Sequence, residues 1–269
     1  MTAFAGTTIL ITGANGGIGT AIARHLAHRE ATLLLTGRNP SQLEALAAEL
    51  RGTGSAIHVL PFDLAAPGAP AELAERALEF TGRLDTLINC AGTQSFGFFS
   101  DESPQDTART FHVNTIAPIA LINAVLPHML SRRQGHLVNV GSIFGSIGFP
   151  CFATYSASKF ALRGFSEALR RELVGSGIRT TYVAPRFTKT ALNGDAATRM
   201  ATALGISQDD PKDVAASVVA ELERGGQDRY LGWPEKLFVR LNSMFPRLVD
   251  KSLMKQVAQM RPFAIERRT

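Results

Sequence analysis

The chain has 269 residues, 45% of them apolar and 19% charged, with 24 glycines; it is too apolar for a disordered chain and too aperiodic in glycine for collagen. Its two cysteines, Cys90 and Cys151, have no CxxC spacing, so neither a disulfide framework nor a metal site is expected, and a reducing, cytoplasmic setting fits. The net charge of +5 is unevenly placed: residues 229–269 hold 9 Lys/Arg against 3 Asp/Glu, leaving 19 against 20 upstream, so the body lacks the basic stripe of a nucleic-acid binder. No uncharged apolar run of about 18 residues and no basic leader is present, so neither a transmembrane segment nor a signal peptide is expected.

Strand-length apolar runs alternate with segments of helical period. In chain order the pattern predicts a strand over Thr8–Thr12, a helix over Gly19–Arg29, a strand over Thr32–Thr36, a helix over Ser41–Arg51 and a strand over Ala56–Phe62. It continues with a helix over Ala71–Thr81, a strand over Thr86–Asn89, one long helix over Asp106–Leu130, a strand over Gly135–Val140, a helix over Tyr155–Gly175 and a strand over Arg179–Val183. Runs such as Ile9-Leu10-Ile11 and Leu33-Leu34-Leu35 are apolar on both faces, which implies a parallel sheet covered by helices on each side. The expected architecture is α/β, a doubly wound parallel sheet of the Rossmann kind, as a single domain over residues 1–232 with a helical extension over 233–269.

The first predicted strand runs directly into Thr12-Gly13-Ala14-Asn15-Gly16-Gly17-Ile18-Gly19 and then a helix, the order in which a glycine turn sets a helix N-terminus against a pyrophosphate. Gly13 suits the tight turn, Gly17 close approach of backbone to phosphate, and Gly19 packing of helix on strand. Asn15, Gly16 and Ile18 complete the candidate cofactor loop. An NAD ribose calls for an acidic residue at the end of the second strand; the sequence there is Thr36-Gly37-Arg38-Asn39, and the Arg38 guanidinium can pair with a 2′-phosphate, so NADP(H) is expected. A solvated loop cation is the alternative reading of Arg38.

Ser142 closes a predicted strand, and Tyr155-Ser156-Ala157-Ser158-Lys159 follows in a helix, where positions i and i+4 share a face. The Tyr155 hydroxyl and Lys159 ammonium can therefore enter one cleft as an acid/base pair, with the cation expected to lower the phenol pKa. These residues, with the glycine loop, Asn89-Cys90-Ala91-Gly92 and Asn114, resemble the short-chain dehydrogenase/reductases over about residues 5–195. The resemblance implies that Tyr155 is the general acid in carbonyl reduction, that Ser142 holds the substrate oxygen, that Lys159 holds the nicotinamide ribose, and that Asn114 completes a proton relay through water. It further implies that Asp63 and Leu64 flank the adenine and that Asn89, Ala91 and Gly92 line the adenosine half. Two bland readings stay open: Asp63 as the cap of the following helix, and Asn114 as a polar residue satisfying backbone freed by Pro118. The chain departs from the family pattern at Cys90, where a second Asn is usual, and at Pro185-Arg186, where Pro-Gly is usual. Pro185, Thr188 and Thr190 are retained as cofactor-binding candidates, while Arg186 meets either an anionic group or solvent.

Segments expected near the cleft supply Phe96, Phe98, Phe99, Phe144, Phe149, Phe152 and Phe187, which favours a lipophilic carbonyl substrate. Leu237, Leu241, Phe245 and Leu248 share one helical face while Lys236, Arg240, Arg247, Lys251 and Lys255 recur beside it, with Pro246 kinking the segment or starting a second helix. That basic segment suits the pocket, a partner subunit or an anionic membrane surface. The expectation is an NADP-dependent oxidoreductase interconverting a carbonyl and an alcohol, assembled as a homo-dimer or homo-tetramer. Its competitors are an NADP(H)-sensing regulator without turnover and a peripheral membrane scaffold.

Overall fold

A computed structural model describes residues 4–226 and 228–265. Strands β1 (Thr8–Thr12), β2 (Thr32–Gly37), β3 (Ala56–Pro61), β4 (Thr86–Asn89), β5 (Gly135–Val140), β6 (Ile178–Ala184) and β7 (Arg229–Tyr230) form one sheet in the order β3-β2-β1-β4-β5-β6-β7, with every adjacent pair parallel. Alternate side chains of one strand enter different layers. Ile9, Ile11, Leu33 and Leu35 pack on one face, beneath helices α1 (Gly17–Leu26), α2 (Pro40–Leu50) and α8 (Pro211–Arg224). Leu10, Leu34, Leu87 and Leu137 pack on the other, against α3 (Ala69–Thr81), α5 (Ala117–Arg132) and α6 (Ala153–Glu172). Both faces are dry, as the continuous apolar strands predict, and the doubly wound fold follows.

The direction of winding reverses between β1 and β4, and the crevice beyond their carboxyl ends is where such folds bind ligands. Thr12 locks that crevice: its Oγ1 accepts hydrogen bonds from the backbone N–H groups of Cys90, at 3.0 Å, and Ala91, at 3.1 Å. At the opposite end of the sheet, burial of the Asp85 carboxyl is outweighed by hydrogen bonds from Arg83, the Thr8 amide and Arg132, which hold it below the usual carboxylate range.

The expected long helix over Asp106–Leu130 is interrupted. α4 (Pro104–Phe111) passes through a π turn at His112–Ile116 before α5 begins, and Asn114 lies in that wide turn. The stretch Pro104–Arg132 is apolar enough by length and composition to cross a membrane, yet Leu121, Ile122, Val125 and Met129 are core residues of the sheet's second face. The predicted element list lacks α7 (Gly194–Ala203), α8 and the two-residue β7. Beyond them lie α9 (Glu235–Met244) and α10 (Pro246–Ile265), and Pro246 is the first residue of the second helix. Val249, Met260 and Ala264 are the buried residues of α10, which packs on α7, so its inner face covers the protein's own apolar cluster. Residues 266–269 of the basic segment lie outside the described residues.

Candidate active site

A cavity of about 440 Å³ lies over the carboxyl ends of β1, β2 and β4. Its floor is the glycine loop. Gly13 has φ +65° and lies so close to the loop after β4 that a Cβ would stand 2.8 Å from Ala91 Cα. A Cβ on Gly19 would overlap the Gly13 carbonyl oxygen, and one on Gly17 would approach Thr190 Cγ2 to 2.5 Å, so these glycines admit the loop's own backbone and the Thr190 segment that covers it. No side chain caps α1, whose first-turn residues Gly17, Ile18 and Gly19 line the cavity; unpaired N–H groups and the helix dipole make such a terminus an anion site.

Asn15, Gly16, Arg38, Asp63, Leu64, Ala91, Gly92 and Thr190 complete the wall together with residues the sequence reading missed: Phe62, Arg109, Val113 and Leu192. Asn15 donates to Gln42 Oε1 at 2.8 Å, which fixes the loop against α2. Arg38 is exposed at the rim and makes no ion pair among the described residues. Asn89 is turned away from the cavity: its Nδ2 donates to Asn139 Oδ1 at 3.0 Å, and Asn139 donates to Ser166, so it ties β4 to β5 and α6 behind the wall. Asp63 does not cap a helix. Its carboxylate accepts from Ala65 N, and α3 starts at Ala69 behind Gly68.

A second crevice of about 70 Å³ adjoins the first and shares Ile18, Cys90, Gly92, Gln94, Thr190 and Leu192 with it. Ser142, Tyr155, Lys159, Pro185 and Thr188 meet here. Ser142 ends the β5 loop, and its Oγ accepts from Phe144 N at 3.1 Å, which leaves its own O–H to donate. Tyr155 and Lys159 lie one turn apart on α6, both buried, with Lys159 Nζ 5.9 Å from the Tyr155 ring centre and donating to the Val140 carbonyl at 3.2 Å.

The electrostatics differ from the expectation that Lys159 lowers the Tyr155 pKa. Burial pushes the phenol up to about 12, with the Ser142 hydroxyl as the opposing influence, and burial pushes Lys159 down to about 8. Both groups lose water in a crevice that holds no carboxylate, so each is driven toward its neutral form. Tyr155 therefore remains a proton donor throughout the neutral range.

Asn114 lines neither cavity. Its Oδ1 accepts from Thr93 N, while Nδ2 donates to Thr93 O and, at 3.0 Å, to Ser158 Oγ. It clamps the loop after β4 to α6, so its amide is satisfied by Thr93 and Ser158 and is not diverted to backbone freed at Pro118. Gln94, the next residue, lies where both cavities meet a third of about 380 Å³, and its buried Nε2 has no hydrogen-bond partner among the described residues. The lone Gln carries no sequence signal, because its position depends on the Asn114 clamp.

Arg186 meets carboxylates. Its Nε donates to Asp209 at 2.8 Å and its NH1 to Glu235 at 3.1 Å, joining the β6 exit to the loop before α8 and to α9. Its φ is negative, so an ordinary backbone replaces the family's glycine without strain. Of the seven phenylalanines, Phe96, Phe98, Phe144, Phe149, Phe152 and Phe187 join one cluster with Tyr155, Met200 and Met260, whereas Phe99 is exposed. The Phe144 ring stands edge-on to Tyr155 at 6.2 Å.

A glycine-floored cavity at the switch point, joined to a crevice bearing Ser, Tyr and Lys, defines a dinucleotide-binding oxidoreductase of the doubly wound class. Residues 7–201 match the family model for short chain dehydrogenases. A dehydrogenase/reductase SDR family member 7B from Bos taurus is 35% identical over 266 residues, covering 94% of this chain and 82% of that protein. The ketoacyl reductase HetN of Nostoc is 32% identical over 268 residues, covering 99% and 89%. Among solved structures, a short-chain dehydrogenase from Sphingobium yanoikuyae in complex with NADPH superposes with a TM-score of 0.79 at 30% identity, covering 93% of this chain and 95% of that one. One from Burkholderia phymatum in complex with NAD gives 0.84 at 25%, covering 92% and 96%. The chain belongs to the short-chain dehydrogenase/reductase family and is an oxidoreductase of the kind that uses a nicotinamide cofactor.

Proposed function

We propose that the protein is an NADP(H)-dependent oxidoreductase that interconverts a lipophilic ketone or aldehyde and its alcohol. The observation that carries this reading is the meeting of Ser142, Tyr155 and Lys159 in one crevice continuous with the glycine-floored cavity. The cavity suits a dinucleotide: a Cβ would fill the turn at Gly13, and the uncapped α1 offers N–H groups to a pyrophosphate. A nicotinamide held there, by the glycine loop and Lys159, would supply the hydride-transfer chemistry in either direction.

As negative charge grows on the substrate oxygen, the Tyr155 hydroxyl delivers its proton there, and in the alcohol direction the phenolate takes the proton back. The Ser142 O–H donates to the same oxygen, so two hydroxyls stabilise the developing charge. Lys159, buried beside Gly92, holds the ribose side of the cofactor, and its positive charge stabilises the phenolate once Tyr155 has released its proton. Asn114 acts at one remove by fixing Thr93 and Gln94, and the Gln94 amide is left free to donate to the substrate. The six clustered phenylalanines favour an apolar substituent on the carbonyl.

Arg38 carries the preference for NADP(H) over NAD(H). Following NAD(P)H consumption at 340 nm with ketones and aldehydes of graded chain length, kcat/KM should rise with chain length and NADPH should be the better donor. Arg38→Glu should raise the KM for NADPH by about tenfold or more, the scale of a lost charge-assisted pair, and leave that for NADH within about twofold. Equal effects on both cofactors would refute the assignment.

A further inference from the structure

We propose that the outer face of α9 and the start of α10 seats on an anionic lipid bilayer. α9 has no buried residue. Leu237, Leu241, Met244 and Leu248 repeat at helical spacing, and Phe238 and Phe245 lie beside them; five of these six are exposed, Met244 by 69% and Leu248 by 60%. Trp233, four residues before Leu237, is 70% exposed. The opposite side of the helix pair is fixed to the body by the Arg186–Glu235 ion pair, by Asn242 Nδ2 donating to the Ser146 carbonyl, and by Val249, Met260 and Ala264 of α10. The apolar face is thus held outward by contacts that leave it uncovered.

The charges around this face identify its occupant. Lys236, Arg240, Arg247, Lys251 and Lys255 make no ion pair among the described residues, and the two acidic residues of the helix pair are Glu235, already held by Arg186, and Asp250. Two-fold pairing with a second copy would set these cations against one another, since such interfaces present the same patch from both sides. An anionic lipid surface accepts both features, with Trp and Phe rings at the headgroup boundary and Lys and Arg among the lipid charges. The ten residues of α9 are too few to span a bilayer, so the contact is peripheral. It also brings lipid close to α10, whose Met260 and Ala264 belong to the apolar cluster around Tyr155. The proposal rests on this surface alone and is independent of the reaction.

Trp233 is the chain's single tryptophan and therefore reports on the contact directly. The full chain is mixed with vesicles of phosphatidylcholine alone or of phosphatidylcholine with phosphatidylserine, and Trp233 emission and co-sedimentation are followed. Expected are a blue shift and sedimentation with the anionic vesicles, both reversed by salt. Lys251→Ala with Lys255→Ala should weaken partitioning about 25-fold, at about fivefold per cation. Phe245→Ser should weaken it with an unchanged unfolding midpoint. Absence of both signals, or equal binding to neutral vesicles, overturns the proposal. So does a blue shift that grows with protein concentration without lipid, which would assign the face to a second copy.

Discussion

Tyr155 and Lys159 share a crevice without a carboxylate, and dehydration pushes them in opposite directions, the phenol to about 12 and the ammonium to about 8. The sign for stability follows from proton counts. Between pH 8 and 10.5 the unfolded chain holds more protons at Lys159 than the folded one, so this residue lowers stability below pH 8 and the loss is recovered as pH rises to 10.5. Lys159→Met should therefore stabilise the protein at pH 7 by about 2 kcal/mol while abolishing turnover, as expected where a site holds a costly buried charge. Urea unfolding of both proteins at pH 7 and pH 10 checks this: the gain should shrink at the higher pH, and a destabilised variant would contradict it. The i, i+4 spacing of this pair, and Ser142 ahead of it, could be read from the chain. The direction of the Tyr155 shift could not, because spacing reveals the neighbouring cation and conceals the burial that raises the phenol.

At the scale of elements, strands were legible wherever apolar residues run continuously, and Leu33, Leu34 and Leu35 are all fully buried. The glycine loop was legible because strand, turn and helix follow one another. α7 and β7 were not: β7 is a two-residue edge strand defined by its pairing with β6, and α7 gains its role by packing under α10. Likewise the π turn at His112–Ile116 leaves the helical period nearly intact, so the sequence reads as one helix. Its function is to aim Asn114 at Thr93. Asn114 is fully buried and Thr93 half-buried, so Asn114→Ala would take both partners from the Thr93 N–H and C=O, at about 2 kcal/mol. Calorimetry or urea unfolding would measure that loss, and a change within about 0.5 kcal/mol would contradict the clamp.

In the whole molecule, Arg186 is the ion-paired link among the contacts that join the carboxyl-terminal helices to the Ser142–Tyr155–Lys159 crevice. Arg186 leaves the β6 exit, passes over Gly232 and reaches Asp209 and Glu235, all three side chains less than one fifth exposed. Arg186→Gly restores the residue usual in the family, yet here it would leave two carboxylates facing each other without a cation. We expect it to lower stability by about 2 kcal/mol and to loosen α9, measurable as a lower thermal midpoint and faster amide exchange in residues 235–244. Unchanged exchange there would refute the coupling. A family comparison flags Arg186 as a departure, and its partners become visible only when residues 209 and 235 are brought together by the fold.

Proton delivery by Tyr155 in the proposed nicotinamide-dependent carbonyl reduction is tested by comparing the wild-type protein with Tyr155→Phe. NADPH affinity and NADPH oxidation against a ketone turned over by the wild type are measured side by side. Tyr155→Phe should bind NADPH within about threefold of the wild type and lose at least about a thousandfold in kcat, as general acid catalysis and oxyanion stabilisation are removed together. Turnover that survives the substitution would contradict it, and a wild type that binds NADPH tightly but reduces no carbonyl would leave a nucleotide-sensing protein in its place.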